Sequence, residues 1–328
     1  MKSISLNELK KKIISFDNVL IVSHINPDPD TLGSALGLQY IFKKLGKNAH
    51  IVCDTKINPR ICGFFGVIPE LDLENTRSPG FLCERIICID AASAGQLGRY
   101  EKYWSEDISR NKIDLVIDHH FTNSFYGKKT YLDTAAAATG EIIYDLAEAL
   151  DIGIDKNFAS YIYCSIIEDT GSFRYMSTTP KTMRTAARLM ETGLDFAALG
   201  RLIFQNKTKT QFAMERLAYD SAKFSPGGKI AFVIITKDIK KNAGLEDAEI
   251  EGINDISRSV EGVEVGVTVK EAESGEYYIS LRSNEYVNVA DIAAHFGGGG
   301  HIRAAGCRYK GTLEALELEL TKKIEEVL

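Results

Sequence analysis

The chain has 328 residues, 45% of them hydrophobic, which is enough for two globular domains with a core each. Its charged residues, 26% of the total and mixed in sign, together with the lack of long Pro, Ser or Gln tracts, exclude wholesale disorder. A formal net charge of −6 excludes a protein that holds long duplex DNA through a broad basic face, whereas a small anionic substrate needs only a few local cations.

The N-terminus, MKSISLNELKKKIISFDNVLIVSH, joins a basic stretch to a short apolar run that ends in His24, Asn26 and Asp28 without a small-residue cleavage site, so it is not a signal peptide. No apolar stretch approaches the roughly 18 residues of a membrane span. Six scattered cysteines (Cys53, Cys62, Cys83, Cys88, Cys164, Cys307) lack C-x-x-C spacing and mostly lie in apolar runs. They are expected as buried, reduced thiols of a cytoplasmic protein, not as zinc ligands.

In chain order, NVLIVSH, NAHIVCD, ERIICID and DLVIDHH each read as a buried strand ending in polar residues, and GSALGLQYIFKKLG reads as a helix stopped at Gly46. This alternation predicts an α/β fold with a mostly parallel sheet flanked by helices, in which ligands bind beyond the carboxyl ends of the strands. From Asn157 to about Arg216 the pattern is helical, with Thr179 and Pro180 starting a helix over KTMRTAARLMETG. SPGG at residues 225–228 is a break, after which KIAFVIIT, VEVGVTVKE and EYYISLRS read as strands and NVADIAAHF as a helix leading into Gly297–Gly300. The expected division is a first domain over 1–185, a helical connector over 186–224 and a smaller α/β domain with a mixed sheet over 225–328.

Five groups of residues can carry chemistry. In SHINPDPDTLGS, Ser23 to Ser34, a histidine and two carboxylates (His24, Asp28, Asp30) share a proline-stiffened turn between strand and helix. Imidazole nitrogen with carboxylate oxygen suits manganese, zinc or iron better than calcium, although a polar loop with a helix cap fits the same residues. Asp90 ends the apolar run RIICI at the same sheet edge, where it could bridge two metals or merely cap a helix. In Asp118-His119-His120, adjacent histidines point in different directions, so one can ligate metal while the other faces a phosphate. Asp169 lies in EDTGSFRY after an apolar helix, either as a plain helix end or as a further ligand. Finally, GGGGHIRAAG, Gly297 to Gly306, offers backbone N–H groups to an anion, with His301 and Arg303 adding positive charge.

Taken together, H-x-N-P-D-x-D-x-x-G-S, the strand-end Asp, D-H-H and D-T-G-x-F-R resemble the four motifs of the DHH phosphoesterase superfamily, in the expected order across roughly the first 180 residues. The GGGGH segment resembles the DHH-associated C-terminal domain of the nucleotide-handling subgroup. The resemblance implies a cluster of two divalent metal ions, expected to be manganese: His24, Asp28 and Asp90 on one ion, and Asp30, Asp90, His119 and Asp169 on the other. It implies that His120 contacts the scissile phosphate, making His120 and Asp90 the catalytic residues, and that Asp118 supports the histidines from behind. Arg282, Gly298, Gly299, Gly300, His301 and Arg303 would bind substrate, with the active site in a cleft between the domains.

The implied activity is hydrolysis of short oligoribonucleotides (nanoRNA), of 3'-phosphoadenosine 5'-phosphate (pAp), or of both. The alternative within the family is a phosphodiesterase for cyclic di-AMP or its linear product pApA. A non-catalytic nucleotide-binding regulator is the alternative of another class, and the intact ligand set argues against it. Single-strand exonucleases of the RecJ type usually carry further nucleic-acid-binding domains, and the GGGGH run argues against a manganese pyrophosphatase. The expected partner is a short nucleotide, with no long duplex DNA and no membrane, and a homodimer is left open.

Overall fold

The computed structural model describes residues 3–55, 65, 83–245, 252–272 and 275–328, with His301 described by its backbone alone. Cys62 and the His301 side chain therefore lie outside the described residues. Two compact units, Met1–Asn206 and Lys207–Leu328, divide the chain.

The first unit is a five-stranded parallel sheet in the order β2-β1-β3-β4-β5, built from β1 (Val19–Val22), β2 (Ala49–Val52), β3 (Arg85–Ile89), β4 (Ile113–Asp118) and β5 (Thr130–Leu132). The strands read as continuous apolar runs because both faces are covered. Ile21, Ile87, Ile89, Leu115 and Ile117 pack on one side, while Leu20, Val22, Cys88 and Val116 pack on the other with Tyr100 of a 3₁₀ segment, Ala94–Tyr103. On the first side lie α1 (Leu6–Ser15), α2 (Pro29–Lys44), α3 (Thr139–Ala149) and α4 (Lys156–Asp169).

Local chemistry starts the first two helices. Ser5 and Glu8 form a capping box on α1, and Asp28 caps α2 by accepting from Thr31 N, with Pro29 in the first turn. Helix α2 lies close against α4: a Cβ on Gly33 would stand 2.3 Å from the Tyr161 carbonyl oxygen, so no larger residue fits there without moving the backbone. The expected helical stretch continues as α5 (Pro180–Met190), α6 (Phe196–Phe204) and α7 (Lys209–Asp220).

The second unit is a mixed six-stranded sheet, β10-β11-β9-β8-β7-β6, made of β6 (Lys223–Phe224), β7 (Ile230–Ile235), β8 (Val265–Glu271), β9 (Glu276–Ser283), β10 (Gly299–His301) and β11 (Ala304–Lys310). Among the described residues of this unit, only β7 and β8 pair in parallel. Its remaining helices are α8 (Lys237–Asn242), α9 (Val289–His295) and α10 (Leu313–Glu325). Ile279, Leu281, Ala305 and Cys307 face Ile292, Leu316 and Leu320 of α9 and α10. On the opposite face, Val233 and Ile235 are covered by Met214 and Ala218 of α7 with Ile253 and Ile256.

The glycine run differs from an open anion loop in part. Gly297 N and Gly298 N donate to the carbonyls of Ala294 and Ala293 and so close α9, and Gly299 to His301 pair with Ala304 to Gly306. Gly300 has φ of 146°, open only to glycine at little cost, and a Cβ on Gly298 would meet the Gly306 carbonyl at 2.1 Å. Among the described cysteines, Cys53, Cys88, Cys164 and Cys307 are buried free thiols and Cys83 is an exposed one. No helix among the described residues is long and apolar enough to cross a membrane.

Candidate metal centre

The strand order 2-1-3-4-5 reverses its direction of growth between β1 and β3, and at such a point the loops at the carboxyl ends diverge and leave a crevice. His24 follows β1, Asp28 and Asp30 occupy the cap and first turn of α2, and Asp90 directly follows β3. Asp118 is the last residue of β4, His119 and His120 follow it, and Asp169 is the last residue of α4. Asp90 has φ of 55°, a left-handed conformation that aspartate tolerates and that ends the strand.

These residues converge. Potential ligand atoms of His24, Asp28 and Asp90 lie within 4.8 Å of one another, as do those of Asp30, His119 and Asp169, and those of Asp90, His119 and His120. His24 Nε2 is 3.7 Å from Asp28 Oδ2 and 3.8 Å from Asp90 Oδ2. His119 Nε2 is 3.1 Å from Asp169 Oδ2, 3.8 Å from Asp30 Oδ2 and 3.9 Å from Asp90 Oδ1. One oxygen of Asp90 thus faces the His24 group and the other faces the His119 group. The His119 and His120 rings lie edge to face, with centroids 4.6 Å apart, as adjacent residues leaving a strand should.

Backbone carbonyls fix which ring nitrogen is presented. His24 Nδ1 lies 2.7 Å from the Ile25 carbonyl and His119 Nδ1 3.2 Å from that of Ala136. A carbonyl only accepts, so Nδ1 carries the proton in each ring and Nε2 is left as the lone-pair nitrogen turned towards carboxylates. A lone pair facing anionic oxygens is repulsive unless a cation, a proton or a metal ion, lies among them. The donor set therefore fits a divalent metal with mixed nitrogen and oxygen preference.

The charges point the same way. Burial, then repulsion from Asp90 and Asp169, pushes the Asp30 carboxyl well above the usual range, and burial with repulsion from Asp28 raises Asp90. Glu168 is raised by burial and by the charges of Asp28 and Asp169. Burial opposes protonation of His24, but the hydrogen bond and charge of Asp28, then the charge of Asp90, outweigh it and lift the imidazole to about 9.

Several residues with no role in the motif reading complete the centre. Asp30 accepts from Ser34 Oγ at 2.9 Å, Ser165 Oγ at 2.6 Å, and the N–H groups of Thr139 and Gly140 at 2.9 and 3.2 Å. The amino end of α3 is thereby aimed at a buried carboxylate. Asp90 accepts from Thr31 Oγ1 at 2.6 Å and Thr139 Oγ1 at 2.8 Å. Asp118 accepts from Asn123 Nδ2 at 2.6 Å and from His120 Nδ1 at 2.7 Å. Thr-Gly at the start of a helical pattern, after four alanines, was the available signal for Thr139.

In the second unit, Arg282 is 24% exposed and its Nε lies 3.9 Å from Asp255 Oδ1. Arg303 donates to the carbonyls of Val287, at 3.1 Å, and Glu285, so its guanidinium ties down the 283–287 loop.

A sheet-edge nest of aspartates and histidines with paired motifs in both units defines the class. The chain belongs to the DHH family of phosphoesterases: residues 18–166 match the DHH family, N-terminal domain, and residues 227–328 match the DHHA1 domain. It is a phosphoester hydrolase with a metal-dependent site. It is 31% identical over 315 residues to the bifunctional oligoribonuclease and PAP phosphatase NrnA of Thermus thermophilus, covering 93% of this chain and 90% of that protein. It is 28% identical over 295 residues to the probable bifunctional oligoribonuclease and PAP phosphatase NrnA of Streptococcus mutans, covering 90% of each. An exopolyphosphatase-related protein from Bacteroides fragilis shares the fold, with a TM-score of 0.84 at 22% identity over 98% of this chain and 94% of that one.

Proposed function

We propose that this phosphoesterase uses two divalent ions, manganese by the donor set, to hydrolyse short oligoribonucleotides and pAp. The observation that carries the two-metal reading is Asp90, whose two carboxylate oxygens face separate histidine and aspartate groups. The substrate class rests on the activities for which relatives aligning over nearly the full chain are named. In this reading His24, Asp28 and Asp90 hold one ion, and Asp30, Asp90, His119 and Asp169 hold the other.

When bound, two such ions supply Lewis-acid charge and lower the pKa of water. The remaining work belongs to side chains. Asp118 holds the His120 Nδ1–H, which fixes the ring and leaves its Nε2 edge for a non-bridging phosphoryl oxygen. Burial disfavours the imidazolium, but the hydrogen bond that His120 donates to Asp118 and the charge of Asp90 raise the His120 pKa. Arg282, the Gly298, Gly299 and Gly300 segment and His301 take the base or distal phosphate. Arg303 contributes by holding the loop that follows Arg282.

The test is a turnover panel of pAp, di- to penta-ribonucleotides, cyclic di-AMP and pApA under one set of manganese conditions. Highest kcat/KM on pAp and the shortest oligoribonucleotides is expected. A preference for cyclic di-AMP or pApA of more than tenfold would replace this substrate assignment by the cyclic dinucleotide one.

A further inference from the structure

On the face opposite α9 and α10, the part over β9 and β11 that α7 leaves uncovered carries a second set of recognition groups. Along β9, Tyr277, Ile279, Leu281 and Ser283 point into the core, so Glu276, Tyr278, Ser280 and Arg282 share the opposite face. The register extends that face sideways. Arg282 lies between Gly266 and Ala304, Ser280 between Thr268 and Gly306, and Tyr278 between Lys270 and Arg308.

The result is a trough with a small-residue floor. The 257–258 segment walls it on the β8 side, where a Cβ on Gly266 would stand 2.5 Å from Ser257 Oγ. Arg282 marks one end. At the other, about 13 Å away at the rise of a strand, Tyr278 is 46% exposed with the Arg308 guanidinium 4.9 Å from its ring centroid. A recess of about 210 Å³ opens there, lined by Tyr278, Arg308, Glu276 and Lys310 among others.

We infer that Tyr278 and Arg308 form a stacking subsite for a nucleobase of a single-stranded oligonucleotide, beyond the nucleotide held at Arg282. With the Arg308 guanidinium over one face of the exposed ring, a base stacks on the other face or on the guanidinium plane, and the adjoining phosphate meets the cation. The charge pattern agrees. Lys270, Arg282, Arg308 and Lys310 share this face in a protein of net charge −6, against Glu276, which pairs with Lys310 at 3.1 Å, and Asp255 beside Arg282. Ser280, Ala304 and Gly306 have no bulk to block a chain running between the two ends. The subsite distinguishes an oligonucleotide from pAp, which is too short to reach it from Arg282.

This inference rests on the proposed oligonucleotide specificity, so its test reads binding apart from catalysis. Calorimetric titration of the full chain in excess chelator, where substrate is not consumed, compares a ribo-tetranucleotide with pAp. Tyr278→Ala and Arg308→Ala should each weaken tetranucleotide binding at least tenfold and pAp binding less than twofold, and Tyr278→Phe, which keeps the ring, should bind within twofold of the parent. Unchanged tetranucleotide binding in both alanine variants, or a parent that binds tetranucleotide no more tightly than pAp, overturns the subsite. Failure of the parent to cleave any oligoribonucleotide with manganese overturns the functional reading instead, and the binding comparison still decides the subsite.

Discussion

Thr139 Oγ1 donates to Oδ1 of Asp90 across 2.8 Å, joining the first turn of α3 to the end of β3 over 49 residues of sequence. The bond orients a buried carboxylate whose two oxygens face different histidines. Hydroxyls in this position tune metal affinity by fixing the ligand before the ion arrives. Thr139→Val keeps the shape and removes the donor, so the manganese concentration for half-maximal activity should rise about 10- to 100-fold. An unchanged metal activation curve would show that Asp90 needs no such support.

The pair of Asp118 and His120 makes a separate claim about catalysis. Asp118→Asn replaces an acceptor that fixes the His120 ring by an amide that can present a donor instead. We expect kcat on pAp to fall about 10- to 100-fold with manganese affinity nearly intact, since Asp118 is assigned to no ion. Loss of metal binding in this variant would place Asp118 among the ligands.

Arg282 and His120 are assigned to different ends of the substrate. Arg282→Ala should raise KM for short nucleotides at least tenfold, and its loss of kcat/KM on nucleotides should exceed its loss on a small activated phosphodiester by a similar factor. His120→Ala should lower kcat on both. If Arg282→Ala slows the small ester as much as the nucleotide, Arg282 acts at the metal centre or in folding.

Close approach of α2 and α4 through Gly33 sets a stability prediction. Gly33→Ala would press a methyl group into the Tyr161 carbonyl region, and overpacking of this kind costs about 1–3 kcal/mol. A lowered midpoint in urea should accompany weaker metal binding, because α2 carries Asp28 and Asp30. A variant as stable as the parent would mean that the two helices separate without strain.

Strands β1 to β4 and their reactive ends were legible because each apolar run stops abruptly at a histidine or aspartate. The donors around those ligands were not. The Thr139 N–H and the Ser165 hydroxyl reach Asp30 from 109 and 135 residues away, and neither group carries a mark of its distant partner. Strand β5 has three residues, too few for a period to show. The glycine run concealed β10, since glycine is depleted in strands and nothing local announces pairing with Ala304 to Gly306. It also concealed that Gly297 and Gly298 close a helix with their N–H groups.

The central claim is that Asp90 serves two ions that together support hydrolysis, and manganese titration of the metal-stripped protein, with pAp turnover and bound metal followed together, tests it most directly. Expected are no turnover when stripped, two ions per chain at saturation, activity that appears with the second ion, and neither the second ion nor activity in Asp90→Asn. Full activity in excess chelator, or saturation of activity at one ion per chain, would contradict it.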